Sequence, residues 1–358
     1  MHLNAGDRLG HYAIVSELGT GGTGRVYLAR DVTLNRPVAL KFPLQRAEPD
    51  SKARPRLLRE AQAAGALDHP NIAAVYEVGE HESQPFIAMA YCPGDSLKAC
   101  LACGPMPVSD TVSILAQVAS GLAAAHDGGI VYLDLKPGNI MIGPGGQVRI
   151  LDFGLAKITG PGFDTVTNAT AAGSIVGTLG YMAPEQFRGG EADAAADIWA
   201  VGIITHEMPA GRHPFEGGSA ASLMQAILEK APSSLADARP DAPPELIGLA
   251  AAALQKDRAR RRLTAAEAAE QARALLARLA APGVRALSRP GRRRWMPRAA
   301  AAALIAVGTA MFLWHWARHA GKARWARDIA LPRIEELAAR IHGGISAGGE
   351  RGALARRR

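Results

Sequence analysis

Between residues 132 and 152 the chain reads YLDLKPGNIMIGPGGQVRILD, and the placement of polar groups there restricts the fold more than any other feature of the sequence. Asp134, Lys136 and Asn139 fall within six residues, and Asp152 comes thirteen residues after Asn139, behind the strand-like run VRIL and before Phe153 and Gly154. Taken singly, each is an ordinary turn residue. Together they are what in-line phosphoryl transfer requires: Asp134 as a carboxylate beside the attacking hydroxyl, Lys136 as an ammonium that reaches the transferred phosphate, and Asn139 and Asp152 as oxygen ligands for a hard divalent cation. A chain that uses them must bring two separate segments into one cleft.

The N-terminal region supplies the other half of such a site. YAIVSELGTGGTGRVYLAR has an apolar, strand-like run on each side of a glycine cluster, which predicts a hairpin with glycines at its bend. Gly19, Gly21 and Gly24, followed by Val26, match G-x-G-x-x-G-x-V. With Thr20, Gly22 and Thr23 they form a loop whose backbone N–H groups can approach phosphate oxygens, because the glycines carry no Cβ. A dinucleotide fingerprint would run straight into a helix, whereas Arg25 to Arg30 continue as a strand. In PVALK, Lys41 ends the next apolar run. RLLREAQAAGAL, residues 56–67, has a helical pattern and carries Glu60, an ion partner that would aim Lys41 at the α and β phosphates.

On these residues, in this order, the chain resembles the Hanks-type, or eukaryotic-like, Ser/Thr protein kinases of the bacterial membrane-anchored kind, from about residue 12 to residue 275. HPNI (69–72), MAPE (182–185), DIWAVGII (197–204), GRHPF (211–215) and Arg261 in KDRARRRLTAAE fall in family order. The resemblance implies an α+β, bilobal fold with a β-rich N-lobe over residues 12–92, a helical C-lobe over 93–280 and ATP in the cleft between them, with Mg²⁺ or Mn²⁺. It further implies that Leu18, Val26, Ala39, Met89 and Met141 line the adenine pocket, with the backbone from Ala90 to Cys92 as hinge. Glu185 should pair with Arg261, and Asp197 should brace the catalytic loop from a buried helix. GTLGYMAPE (177–185) resembles the peptide-docking segment of Ser/Thr kinases, in which Thr178 would bond to Asp134 and Lys136; the implied substrates are Ser and Thr hydroxyls of proteins, including the chain's own.

Three positions depart from the family pattern: Tyr132 replaces a histidine, Leu133 an arginine and Ala90 an acidic residue at the hinge entrance. Tyr132 is expected to fill the histidine's space against Phe153 while its hydroxyl finds a partner. Hinge contacts come from backbone groups, so Ala90 should be tolerated. Leu133 cannot pair with an activation-loop phosphate, so activity should depend less on phosphorylation of the candidate sites Thr165, Thr167, Thr170 and Ser174. A pseudokinase, binding nucleotide without transferring phosphate, is the alternative; such chains usually lose Lys41, Asp134, Asn139 or Asp152, all present here.

The charge of +8 is unevenly distributed: residues 285–358 hold 16 Lys and Arg against 4 Asp and Glu, a net of +12, which leaves −4 for residues 1–284. A slightly acidic domain with a basic tail argues against nucleic acid and for a membrane surface. Residues 299–317, AAAAALIAVGTAMFLWHWA, contain no Asp, Glu, Lys or Arg, and as a helix would span roughly 28 Å. Arginines 292–294 and Arg298 precede them, Arg318, Lys322 and Arg324 follow, and Trp295, Trp314 and Trp316 stand near the ends as interfacial anchors would. The expected order is a basic juxtamembrane linker (281–298), a transmembrane helix (299–317) and a short basic tail (318–358) open to dimerisation or a partner helix. A domain that uses ATP would then lie on the cytoplasmic side of the inner or plasma membrane. The start of the chain is polar, without the apolar run of a signal peptide, and Cys92, Cys100 and Cys103 fit a reducing compartment. Cys100 and Cys103 lack a second ligand pair at zinc spacing.

Overall fold

Alternation along the N-terminal strands sorts side chains onto two faces, and that sorting builds both a core and the ceiling of a cleft. The computed structural model describes residues 2–21, 24–43, 65–82, 84–151, 179–190 and 192–281. Strands β1 (Arg8–Leu9), β2 (Tyr12–Gly21), β3 (Gly24–Asp31), β4 (Arg36–Phe42), β5 (Val75–His81) and β6 (Gln84–Ala90) form one antiparallel sheet in the order β1-β2-β3-β4-β6-β5. Tyr27, Ala29, Val38, Leu40, Phe42, Phe86 and Ala88 turn to one face and bury with Leu3, Leu9, Tyr12 and Ile14. The other face carries Val26, Ala39, Ile87 and Met89 in a second apolar cluster. Lys41 joins that second face because it pairs directly with Val26 on β3 and with Ile87 on β6.

The β2–β3 hairpin closes on the pair Gly21 and Gly24, with Gly22 and Thr23 outside the described residues. Gly24 has φ +130°, and a Cβ there would lie 2.1 Å from the carbonyl oxygen of Phe42. Only glycine fits at residue 24, so β3 can begin close against the end of β4. The segment 56–67 expected as a helix, with Glu60, lies mostly outside the described residues, which resume at 65.

From residue 97 on, the structure is mainly helical: α1 (Leu97–Ala102), α2 (Val108–Asp127), α3 (Pro184–Phe187), α4 (Ala194–Ala210), α5 (Ala220–Glu229), α6 (Leu235–Ala238), α7 (Pro244–Ala253) and α8 (Ala265–Ala280). Helix α4 is buried on nearly every side, as an all-round apolar helix must be. The Asp193 side chain caps its N-terminus by accepting from the Ala195 N–H, and Gly211 ends it in the left-handed region at φ 68°. Along α2 the buried Val112, Leu115, Val118, Leu122 and Ala125 recur every three to four residues, so this helix packs one face against α4 and another against α8. Among the described residues α2 is the one helix long and apolar enough to cross a membrane, yet it belongs to the helical core. A small second sheet, β7 (Asp95–Ser96), β8 (Ile140–Ile142) and β9 (Val148–Ile150), borders the cleft in the order β7-β8-β9. The chain divides into two units, Met1–Val284 and Arg285–Arg358; the described residues all belong to the first, so stretch 299–317 and its flanks lie outside them.

Candidate active site

The loop before β8 is short enough to make its own geometry. Pro137–Asn139 form a single 3-10 turn, in which the Asn139 N–H donates to the Lys136 carbonyl at 2.9 Å. The turn aims the Asn139 side chain back at Asp134: Nδ2 donates to the Asp134 carbonyl at 2.9 Å and to its Oδ2 at 3.1 Å. The amide nitrogen therefore faces Asp134, and the amide oxygen is presented on the opposite side, where a hard cation would need it. Lys136 Nζ donates to both Asp134 oxygens, at 2.9 and 2.7 Å, and the two side chains are 18% and 20% exposed. Asp134 is thus a carboxylate fixed in orientation by an ammonium and an amide, with one side open to the cleft.

A buried carboxylate holds this loop from below. Asp197, on the first turn of α4 and 1% exposed, accepts from the Leu133 N–H at 2.7 Å, from the Tyr132 N–H at 2.8 Å, and meets His126 Nε2 at 2.8 Å. Two successive N–H groups can converge on one carboxylate because Leu133 stands at φ 64°. For a leucine that backbone costs about 1–3 kcal/mol. Each charge-assisted bond returns about 1.5–3 kcal/mol, so the pair outweighs the strain.

The same loop reaches the segment that leads to Asp152. Tyr132 is fully buried, and its hydroxyl donates to the carbonyl of Leu151, whose own N–H donates to the Asn139 carbonyl at 2.8 Å. The residue before Asp152 is therefore tied at both ends to the loop that carries Asp134 and Asn139. Asp152 and Phe153 themselves lie outside the described residues, as do Thr178, Thr165, Thr167, Thr170 and Ser174. The Leu133 side chain, partly buried, packs on the apolar cluster of Leu179, Ala183, Phe187 and Trp199.

On the second face of the sheet, Val26, Ala39 and Met89 belong to one apolar cluster, the candidate ceiling of the site. Lys41, 3% exposed, lies on that same face of the sheet. Gly19 and Gly21 belong to β2, where the Thr20 hydroxyl donates to Glu17. Leu18 is 46% exposed and stands apart from the ceiling cluster, and Met141 lies on β8 opposite Ser96 and Arg149. At the sheet's exit the Ala90 N–H donates to the Ala74 carbonyl at 2.8 Å, while the Ala90 carbonyl lies 3.6 Å from Cys92 Sγ. Burial pushes the Cys92 thiol above its ordinary pKa, and the nearby Arg149 opposes that shift in part.

Comparison with known proteins agrees with this geometry. The family model described as the protein kinase domain matches residues 12–272. The chain belongs to the protein kinase domain family. It is 37% identical over 249 residues to the serine/threonine-protein kinase PrkC of Bacillus subtilis, covering 69% of this chain and 38% of that protein. To PknL of Mycobacterium tuberculosis it is 37% identical over 252 residues, 69% of this chain and 62% of the relative. To pkn2 of Myxococcus xanthus it is 33% identical over 310 residues, 85% of this chain and 36% of the relative. The chain thus spans less than two thirds of the length of each of these relatives. Among solved structures, the kinase domain of Mycobacterium tuberculosis PknI superposes with a TM-score of 0.60 at 27% identity, covering 76% of this chain and 99% of that one.

In this protein kinase fold a second ion pair anchors the start of α3. Arg261 Nη1 donates to Glu185 Oε1 at 2.7 Å and Nη2 to Oε2 at 3.1 Å, a two-pronged pair 0% and 11% exposed. Its Nε donates to the Gln255 carbonyl at 2.9 Å, Nη1 also donates to the Ala195 carbonyl at 2.8 Å, and the guanidinium sits 5.1 Å from the Trp199 ring centre. His126, which belongs to the kinase loop's support through Asp197, escaped the sequence reading. It lies at the end of α2, 71 residues from its partner, and in sequence looks like a helix-end charge.

Proposed function

We propose that this chain is an ATP-dependent Ser/Thr protein kinase that phosphorylates proteins, itself included, from the cytoplasmic face of a membrane. The observation that carries the reading is the Asp134 carboxylate, held between the Lys136 ammonium and the Asn139 amide at one side of a cleft whose ceiling bears Lys41. ATP would supply the phosphoryl group, and Mg²⁺ or Mn²⁺ the countercharge, with Asn139 and Asp152 as the residues to hold the metal.

In that reading each side chain has a separate task. Asp134 orients the acceptor hydroxyl and takes up its proton. Lys136, already at the Asp134 oxygens, faces the charge that develops on the transferred group. Lys41 and the glycines at 19, 21, 22 and 24 hold the phosphates, with Thr20 and Thr23 between them and Glu60 as partner of Lys41. Val26, Ala39 and Met89, with Leu18 and Met141 at the rim, clasp the adenine, and the backbone of Ala90 to Cys92 recognises its edge. Thr178 joins Asp134 and Lys136, and residues 177–185 dock the peptide. The uncharged run 299–317 with its arginine flanks supports a single membrane anchor.

The test is transfer from labelled ATP with Mg²⁺ by the full chain in detergent micelles, to itself and to myelin basic protein, beside Lys41→Met and Asp134→Asn. The expected outcome is label with the parent chain and at least a hundredfold less with either variant. Equal label in all three would overturn the reading.

A further inference from the structure

The docking segment is held by a residue of the GRHPF stretch that has so far been given no role. After Gly211 ends α4, the loop through Phe215 turns back, and Phe215 stacks on the buried Trp199 with ring centres 5.7 Å apart. That stack fixes the loop to the helical core. His213 projects from it onto residues 180 and 181: Nε2 lies 3.0 Å from the Gly180 carbonyl oxygen, and the ring meets Tyr181 edge to face at 5.8 Å. Its other nitrogen is occupied by the loop itself, with the Phe215 N–H at 3.1 Å from Nδ1 and the Phe215 carbonyl at 2.9 Å. The Gly180 atom in contact is a carbonyl oxygen, which only accepts, and the Phe215 N–H donates to Nδ1, so the hydrogen is assigned to Nε2, which donates.

Residue 180 suits this contact as a glycine: a Cβ there would stand 3.2 Å from Nε2, tight enough that the imidazole would have to give by a few tenths of an ångström. Beyond it the Tyr181 hydroxyl donates to Glu207 Oε2 at 2.6 Å, at the far end of α4. Gly180 and Tyr181 are thus pinned from two directions, by an imidazole on a stapled loop and by a carboxylate on the central helix. Neighbouring Leu179 is buried in the cluster that also receives Leu133. A backbone restrained at a carbonyl, a ring and a hydroxyl within two residues has one height relative to the catalytic loop, and an acceptor peptide lying on it would share that height.

We infer that His213 is a positioning residue for protein substrates: its Nε2–H to Gly180 bond sets the docking backbone against which the acceptor chain lies. The inference rests on the kinase reading above. It predicts a loss confined to substrate binding, since His213 touches neither the Asp134 loop nor the ATP ceiling among the contacts of the described residues.

The experiment compares the full chain in detergent micelles with His213→Phe, which keeps a ring and loses the donor, and His213→Gln, whose amide reaches the Nε2 position and so keeps a donor while losing the ring. KM for myelin basic protein and for ATP, kcat, and the unfolding midpoint are measured for all three. Loss of one hydrogen bond predicts a KM for myelin basic protein raised about 5- to 10-fold in His213→Phe, with recovery to within about 2-fold in His213→Gln. If His213→Phe does not fold, His213→Met, close to glutamine in shape but without a donor, makes the same comparison. An unchanged KM for the basic protein in the variant without a donor, a fall in kcat alone, or equal changes with and without the donor would overturn the inference. Absence of transfer by the parent chain would instead overturn the kinase reading, and this inference with it.

Discussion

Replacing Asp197 with asparagine asks whether the loop depends on one carboxylate. The substitution is nearly isosteric, so packing around α4 is kept, but one of two acceptor oxygens becomes an NH₂ group. If the remaining oxygen keeps the Leu133 N–H, now at 2.7 Å, the new amide faces the Tyr132 N–H across 2.8 Å. His126 can adapt by exchanging tautomer, whereas a backbone N–H cannot. The loss is then one orphaned buried donor, about 1–3 kcal/mol, together with the charge assistance of the surviving bond, about 1 kcal/mol, for a total of about 2–4 kcal/mol. At roughly 2–4 °C per kcal/mol for a domain of this size, the unfolding midpoint should fall by about 5–15 °C. Activity should fall further than stability explains. Holding Leu133 at φ 64° costs about 1–3 kcal/mol, and a single neutral hydrogen bond no longer covers that cost. The backbone relaxes toward negative φ and Asp134, the next residue, moves with it; a displacement near 1 Å costs on the order of a hundredfold in rate. Differential scanning calorimetry and steady-state transfer at 25 °C give the two numbers. A variant within about 2 °C of the parent that keeps more than half its kcat would refute the bracing argument.

Other substitutions probe separate parts of the same frame. Arg261→Ala leaves Glu185 as an unpaired carboxylate only 11% exposed, which should cost about 3–5 kcal/mol and lower the unfolding midpoint by about 6–20 °C; a shift under 3 °C would show that water satisfies Glu185. Replacing Thr165, Thr167, Thr170 and Ser174 together by alanine should keep most of the transfer activity, because Leu133 meets Leu179, Ala183 and Phe187 through apolar packing in place of an arginine–phosphate pair. A tenfold loss in that quadruple variant would contradict it. Burial holds the His206 imidazole below its ordinary pKa of 6.5. Above pH 6.5 the group is neutral in both states and has no effect; below it the unfolded chain takes a proton that the folded chain resists, so stability falls with pH by up to about 1.4 kcal/mol per unit until the lowered pKa is reached. His206→Gln should flatten the dependence of the unfolding midpoint on pH between about 6.5 and 5, and an unchanged slope would remove His206 as its source.

Much of the cleft could be read from the chain because its signals are local. The turn that brings Asn139 back to Asp134 spans six residues and contains a proline and a glycine, and the spacing Asp-x-Lys-x-x-Asn is itself the geometry of that turn. The hairpin around the glycines is local in the same sense, since Gly24 must be free of a Cβ to pass the Phe42 carbonyl. Ala39 and Lys41, two residues apart in β4, share a face by strand geometry alone, whereas Val26 joins them only through the register of β3 against β4.

The resemblance named Asp197 as the brace of that loop, but only the tertiary structure decided the contacts by which it is held. Asp197 meets Tyr132 and Leu133 across more than sixty residues, and His126 joins it across 71, distances over which sequence spacing carries no geometric information. The left-handed backbone of Leu133 is likewise invisible in composition, because leucine disfavours it and adopts it here only where two N–H groups are drawn to one buried charge. The Tyr132 hydroxyl was expected to find a partner, but that the partner is the carbonyl directly before Asp152 follows only from the folded path of β9 beside the loop. Local spacing brought Asp134, Lys136 and Asn139 together; long-range packing around α4 decided the backbone conformation that keeps them there.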